Sequence, residues 1–304
     1  MAATRPVTGA TEMAEAAFER AIDARRDDAY AARGRVRRIL RHIGTFLVDW
    51  FPIFVVMFVY DAIHNRLGRL LPPAHTLPQI HVEQALFGAT VPTVRMQQAF
   101  YSASHPHWWD FMALAVYTSH FVVPPLVGLA LWIRSRARYL RFMVWFIGMT
   151  TLGYLTYVLF PAVPPWLASQ QGNLAPTHRL VRELWDYLGF HNMAALFSGV
   201  NVYANDVAAI PSLHAAYPLM ITMFFWETSP RAVRAALALY SVAMALVLVY
   251  GAEHYLLDIV LGWLYTLVTA WLVNRLWPAD WRRVPLAHRT RTPSFMTNRT
   301  SRRA

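Results

Sequence analysis

Apolar residues in this chain gather into blocks of about 20 residues bounded by charge or proline, a pattern that predicts membrane-crossing helices. The first block runs from about Ile39 to Tyr60, the second from Asp110 to Ile133 and the third from Leu140 to Phe160. A shorter fourth block, Ser212 to Trp226, is expected to begin inside a re-entrant turn; a fifth covers Ala232 to Tyr250 and a sixth His254 to Leu276. Between them lie two long polar stretches, 61–109 and 161–211, and the very short turn Gly251-Ala252-Glu253. Both long stretches exceed what a plain connector needs. Their tryptophans, Trp108, Trp109 and Trp166, suit either an interfacial anchor or a lid over a head-group pocket. The expected division is a cytoplasmic N-terminal segment over 1–38, a six-helix domain over 39–277 and a basic cytoplasmic tail, expected to be disordered, over 278–304.

Arginine placement orients these helices. Arg33, Arg35, Arg37, Arg38 and Arg41 precede the first block, and Arg134, Arg136, Arg138 and Arg141 separate the second from the third. Arg231 and Arg234 separate the fourth from the fifth, and a further cluster follows the sixth. Six alternating helices put all four groups on one side, which the positive-inside rule makes cytoplasmic. The long stretches then face the other side. The expected location is a bacterial inner membrane with both termini cytoplasmic.

Composition supports a membrane setting. Of 304 residues 56% are hydrophobic and 15% charged, against about 25% charged in a soluble domain. The net charge of +11 is carried by arginine alone, since the chain has no lysine. Because those arginines flank apolar blocks, the expected partner is anionic lipid, with no nucleic acid. The absence of cysteine excludes disulfides, a thiolate nucleophile and a cysteine-ligated metal. The N-terminal residues are polar, without the apolar core of a secretory signal.

Candidate chemistry concentrates where two apolar blocks begin. His254 and Asp258 are four residues apart and share a helical face. A carboxylate that accepts from one imidazole nitrogen fixes the tautomer and leaves the other nitrogen as a nucleophile. Pro211-Ser212-Leu213-His214 reads as a helix start whose backbone N–H groups form an anion site, with Ser212 adding a hydroxyl donor and His214 an acid and base. Together these residues suit phosphoryl transfer through a phosphohistidine. His120 lies within the second block, as a substrate contact or an inter-helix strut. Arg179 and Arg182 are candidate phosphate contacts on the second long stretch.

At these motifs the chain resembles the type 2 phosphatidic acid phosphatase superfamily, whose second motif is PSGH and whose third is SRxxxxxHxxxD. Here PSLH stands for the former and His254-xxx-Asp258 for the end of the latter. The family's first motif, KxxxxxxRP, is absent from a chain without lysine, and the SR pair falls on Val247-Leu248. The pattern is closer to the branch containing fungal inositol phosphorylceramide synthase, where PSLHA and HYxxD occur and a PxAPPW segment resembles Pro161 to Trp166. The likeness runs from about Trp108 to Leu276.

That resemblance implies an all-α polytopic membrane enzyme with a six-helix core, His254 as nucleophile, Asp258 as its partner, His214 as acid and base, and no metal cofactor. The expected substrate contacts are Ser212, Leu213, Tyr255, His120, Arg179 and Arg182. The expected function is transfer of an inositol-phosphate-like head group from a phospholipid to a lipid or polyol acceptor. Transfer to water, making the protein a lipid phosphate phosphatase, is the alternative. Two further classes stay open from the residues alone: a metal-binding membrane protein using His214, His254 and Asp258, and a transporter or scaffold without chemistry.

Overall fold

The computed structural model of the chain describes residues 8–67, 72–196 and 206–277. The expected tail over 278–304 lies outside them. The helices are α1 (Thr8–Leu67), α2 (Leu77–Phe87), α3 (Pro92–Phe100), α4 (Trp108–Arg134), α5 (Arg136–Leu159), α6 (Pro165–Gln170), α7 (Leu180–Tyr187), α8 (His191–Leu196), α9 (Leu213–Phe225), α10 (Arg231–Tyr250) and α11 (Leu256–Leu276). Two compact units divide the chain, residues 1–55 and 56–304. The first unit is the N-terminal part of α1, where the Phe46 and Trp50 rings lie 5.4 Å apart. All other elements belong to the second.

Five helical segments are long and apolar enough to cross a membrane: Tyr30–Ile63 of α1, and α4, α5, α10 and α11. They match five of the six expected blocks. The block expected from Ser212 to Trp226 behaves differently. Its helix, α9, has 13 residues, which at 1.5 Å per residue is about 20 Å, short of a hydrocarbon core of about 30 Å. Most of its side chains are buried, from Leu213, Ala215, Ala216 and Tyr217 to Phe224. It is the central post of the second unit, packed by α4, α5, α10 and α11.

Hydroxyl groups bind that post to its neighbours. Thr222 meets Ser241 of α10 at 2.9 Å, Tyr217 meets Thr150 of α5 at 2.8 Å, and Thr266 of α11 donates to the Ala216 carbonyl at 3.2 Å. Such bonds hold helices together where lipid removes the hydrophobic drive. The closest backbone approach is at Gly262 of α11, where a Cβ would stand 2.3 Å from the Ser212 carbonyl oxygen. Only glycine fits there. Arg138 and Arg141, expected in an arginine-rich loop, are buried, and Arg141 donates to the Trp277 carbonyl at 2.6 Å.

Among the described residues there is no strand, only isolated parallel bridges joining His75 to Ala162 and Ala162 to Ala208. They tie both long stretches to the segment that enters α9. His75 N–H donates to the Pro161 carbonyl at 2.8 Å, and Ala162 N–H to the Val207 carbonyl at 2.7 Å.

Candidate active site

Two helix starts meet in this site, and each is held by a carboxylate or a hydroxyl. Ser212 caps α9: its Oγ accepts from the Ala215 N–H at 3.3 Å. Tyr255 precedes α11, and its N–H donates to Asp258 Oδ2 at 2.9 Å. The two starts are joined directly, because the Ser212 N–H donates to the Asp258 carbonyl at 2.9 Å. The Tyr157 hydroxyl of α5 fixes the turn by donating to the Pro211 carbonyl at 2.7 Å. A separate turn delivers His254. Ala252 adopts a left-handed φ of 59°, and both the Glu253 and His254 N–H groups donate to the Leu248 carbonyl, at 3.1 and 3.2 Å.

This scaffold brings both histidines together. His254 Nε2 lies 3.4 Å from His214 Nδ1, and His254 Nδ1 lies 3.4 Å from Asp258 Oδ2. His254 is 5% exposed and Asp258 fully buried. The three side chains thus form a line, carboxylate to imidazole to imidazole. His214 is boxed in by α4: its ring is 5.0 Å from Tyr117, stacked, and 4.0 Å from His120. His120 in turn stacks on Tyr217 at 5.0 Å.

The line opens onto a cavity of about 640 Å³. Its walls are aromatic, with Tyr60, Tyr117, Phe121, Tyr154, Tyr157 and Tyr217. Its polar end carries His120, His214, His254, Arg179, Glu253 and Asp206. Arg179 grips Glu253 through both Nε at 2.9 Å and Nη2 at 3.2 Å, and Nη1 lies 3.6 Å from Asp206 Oδ1. Its guanidinium stacks on Trp166 at 4.3 Å. Burial alone would lower the Arg179 pKa, but the Glu253 carboxylate more than offsets it, so the guanidinium stays charged above its ordinary range.

Of the nine candidates from the sequence, the structure gathers six: His254, His214, His120, Arg179 and Leu213 line the cavity, and Asp258 lies behind His254. Three stand elsewhere. Arg182 is exposed, on the face of α7 opposite buried Leu180, Val181 and Leu184. Tyr255 is fully buried in a cluster with Ile80, Val91 and Val163. Ser212 is fully buried; its N–H donates to the Asp258 carbonyl and its Oγ accepts from the Ala215 N–H, so its expected free N–H is taken. Sequence reasoning missed Glu253 and Asp206 in the cavity. A charged residue inside a three-residue turn between two apolar blocks was the available signal for Glu253.

It also missed Glu83. This fully buried carboxylate reaches across from α2, and its Oε1 accepts from the Leu256 N–H at 2.5 Å and the Leu257 N–H at 3.3 Å, the first two residues of α11. Burial raises its pKa from 4.5 to about 7, against the two backbone bonds, with the Asp258 charge adding to the rise. Among the described residues no group of three or more His, Cys, Asp or Glu side chains is arranged to hold a metal ion.

Residues 80–272 match the family model described as the PAP2 superfamily. The chain belongs to that superfamily. The PAP2 match spans α2 through most of α11, so it contains all the cavity's polar residues. The chain is also similar to the phosphoinositol dihydroceramide synthase of Bacteroides thetaiotaomicron. The two are 32% identical over 228 residues, covering 71% of this chain and 72% of that protein. No solved structure matches it. As a PAP2 protein with these apolar helices, it is an integral membrane enzyme of the lipid phosphotransferase and phosphatase type.

Proposed function

We propose that this enzyme moves a phospho-head group between lipids through a phosphohistidine on His254. Asp258 accepts a hydrogen bond from the Nδ1–H of His254 and directs the Nε2 lone pair at phosphorus. A P–N bond forms as the P–O bond to the departing diacylglycerol breaks, and His214 donates a proton to that oxygen. An acceptor hydroxyl then attacks phosphorus, His214 takes its proton, and the P–N bond breaks. His254 and Asp258 return to their starting state. The two nitrogens now 3.4 Å apart are in direct contact; a phosphate entering from the cavity parts them and takes over that contact.

The observation that carries this reading is the Asp258–His254–His214 line, with one imidazole nitrogen on the carboxylate side and the other facing a second imidazole. Arg179 supplies the charge beside the phosphate that a missing lysine motif leaves unfilled. Similarity to a phosphoinositol dihydroceramide synthase supports an inositol-phosphate-like head group and a ceramide-type acceptor. Aromatic walls and the low exposure of His254 favour an organic acceptor over water. Arginine distribution supports cytoplasmic termini and a site on the extracytoplasmic face of a bacterial inner membrane.

A transfer assay tests it. Purified protein in vesicles receives head-group-labelled phosphatidylinositol with and without a ceramide acceptor. Label should appear in the acceptor lipid and should depend on that lipid. Release of inositol phosphate at the same rate with and without acceptor would make the enzyme a hydrolase.

A further inference from the structure

We infer that Glu253, acting with Asp206 on Arg179, restricts the donor to singly charged phosphodiesters and turns away doubly charged phosphomonoesters. The inference rests on the phosphohistidine route above and names the donor class that this route accepts.

Among the described residues lining the cavity, Arg179 is the one arginine, and the chain has no lysine. Its charge is already answered. Glu253, 7% exposed, takes two of its N–H groups in a forked pair, and Asp206 lies 3.6 Å from a third nitrogen. Counting Arg179 as +1, Glu253 and Asp206 as −1 each, and His214 as +1 in the protonated form that the first step requires, these groups sum to zero. Asp258 adds a further buried negative charge behind His254.

A phosphomonoester carries close to −2 at neutral pH, because its second pKa is about 6. A phosphodiester carries −1. Both bring the same phosphorus to His254 Nε2, beside a guanidinium that Glu253 already holds. The monoester's second charge meets two carboxylates within a low-dielectric, aromatic-walled space, where Coulomb interactions are strong. The position of Glu253 makes it the main determinant. It directly precedes His254, and the same Leu248 carbonyl holds both residues. Trp166 covers one face of Arg179, so the guanidinium has little freedom to swing away from Glu253 toward a dianion.

The test compares two ³²P-labelled donors with identical acyl chains, phosphatidylinositol and phosphatidic acid, using the full-length protein in vesicles. It reads kcat/KM for each donor and acid-labile label on the protein. The wild type should prefer the diester by on the order of tenfold or more, as one extra charge near two carboxylates implies. Glu253→Gln should narrow that ratio by raising use of the monoester, and Asp206→Asn should narrow it less. A wild-type ratio near unity, or a ratio unchanged in both variants, overturns the inference. If Glu253→Gln does not fold, Asp206→Asn alone decides: a narrowed ratio supports the inference and an unchanged one overturns it. Equal labelling by both donors defeats the charge filter and leaves the phosphohistidine route intact. No label from either donor defeats the route itself.

Discussion

Replacing Gly262 with alanine should separate the two halves of the site without touching a reacting group. Asp258 and Gly262 lie one turn apart on α11, and Gly262 faces the Ser212 backbone. An added Cβ would stand 2.3 Å from the Ser212 carbonyl oxygen and 3.1 Å from its carbon, whereas ordinary contact begins at 3.4 Å. The shortfall is 3.4 − 2.3, or 1.1 Å. The obstacle is backbone, so no rotamer change relieves it. The start of α9 must retreat by about 1 Å, carrying His214 with it and stretching the 2.9 Å bond from Ser212 N–H to the Asp258 carbonyl. Overpacking of this kind costs about 1–3 kcal/mol of stability, and a misplacement of about 1 Å at a reacting centre costs on the order of 100-fold in rate. Gly153→Ala is the matched control. The three atoms nearest its Cβ all belong to the Leu213 side chain, at 2.9 and 3.1 Å, and a side chain can yield where backbone cannot, so the loss should stay below about tenfold. Head-group transfer is measured on both variants, with size-exclusion profile and thermal midpoint confirming the fold. A folded Gly262→Ala protein within about threefold of wild type would refute the claim that the α9–α11 contact sets the His214–His254 distance.

Asp258→Asn should fold, because its amide oxygen can still accept from the Tyr255 N–H, yet lose on the order of 100-fold or more in turnover as His254 loses its charged partner; near-normal turnover would count against that role. Arg179→Lys should lower activity by about tenfold or more, because an ammonium cannot reproduce the forked bond to Glu253 or the stack on Trp166; full activity would show that charge alone suffices. Glu83 predicts a pH effect on stability. Its pKa rises from 4.5 to about 7 on folding, so its stabilising contribution is complete below 4.5 and is lost as pH climbs through about 7, a change of about 2–4 kcal/mol. Glu83→Gln keeps an oxygen acceptor for the Leu256 N–H, so its thermal midpoint should fall less than that of wild type between pH 5 and 8 in detergent. Parallel curves for the two proteins would contradict this.

Hydropathy alone located α4, α5, α10 and α11 within a few residues, because charge and proline mark their ends. It gave no warning that α9 would be 13 residues long and mostly buried, since an apolar run looks the same whether protein or lipid surrounds it. The PSLH and HxxxD motifs pointed to His214, His254 and Asp258, which local spacing and context made legible. Contacts between distant positions were not legible in that way. Glu253 finds Arg179 74 residues away, and Glu83 finds Leu256 173 residues away; no local pattern encodes either pairing. Ser212 shows the same gap at short range. Its position before a helix predicted an anion site, but its N–H turns to Asp258 on another helix. Arg179 and Arg182 read alike in sequence, and only the phase of α7, which begins between them, sends one to the cavity and the other to the surface.

Identification of the covalent intermediate is the most direct measurement. The full-length protein is mixed with ³²P-labelled phosphatidylinositol without acceptor, quenched in alkali and digested, and the labelled peptide is sequenced by mass spectrometry. The expected result is an acid-labile inositol phosphate on the peptide containing His254, discharged on addition of acceptor lipid and missing from the His254→Ala variant. Transfer at an undiminished rate by His254→Ala, or label on a different residue, would contradict the account.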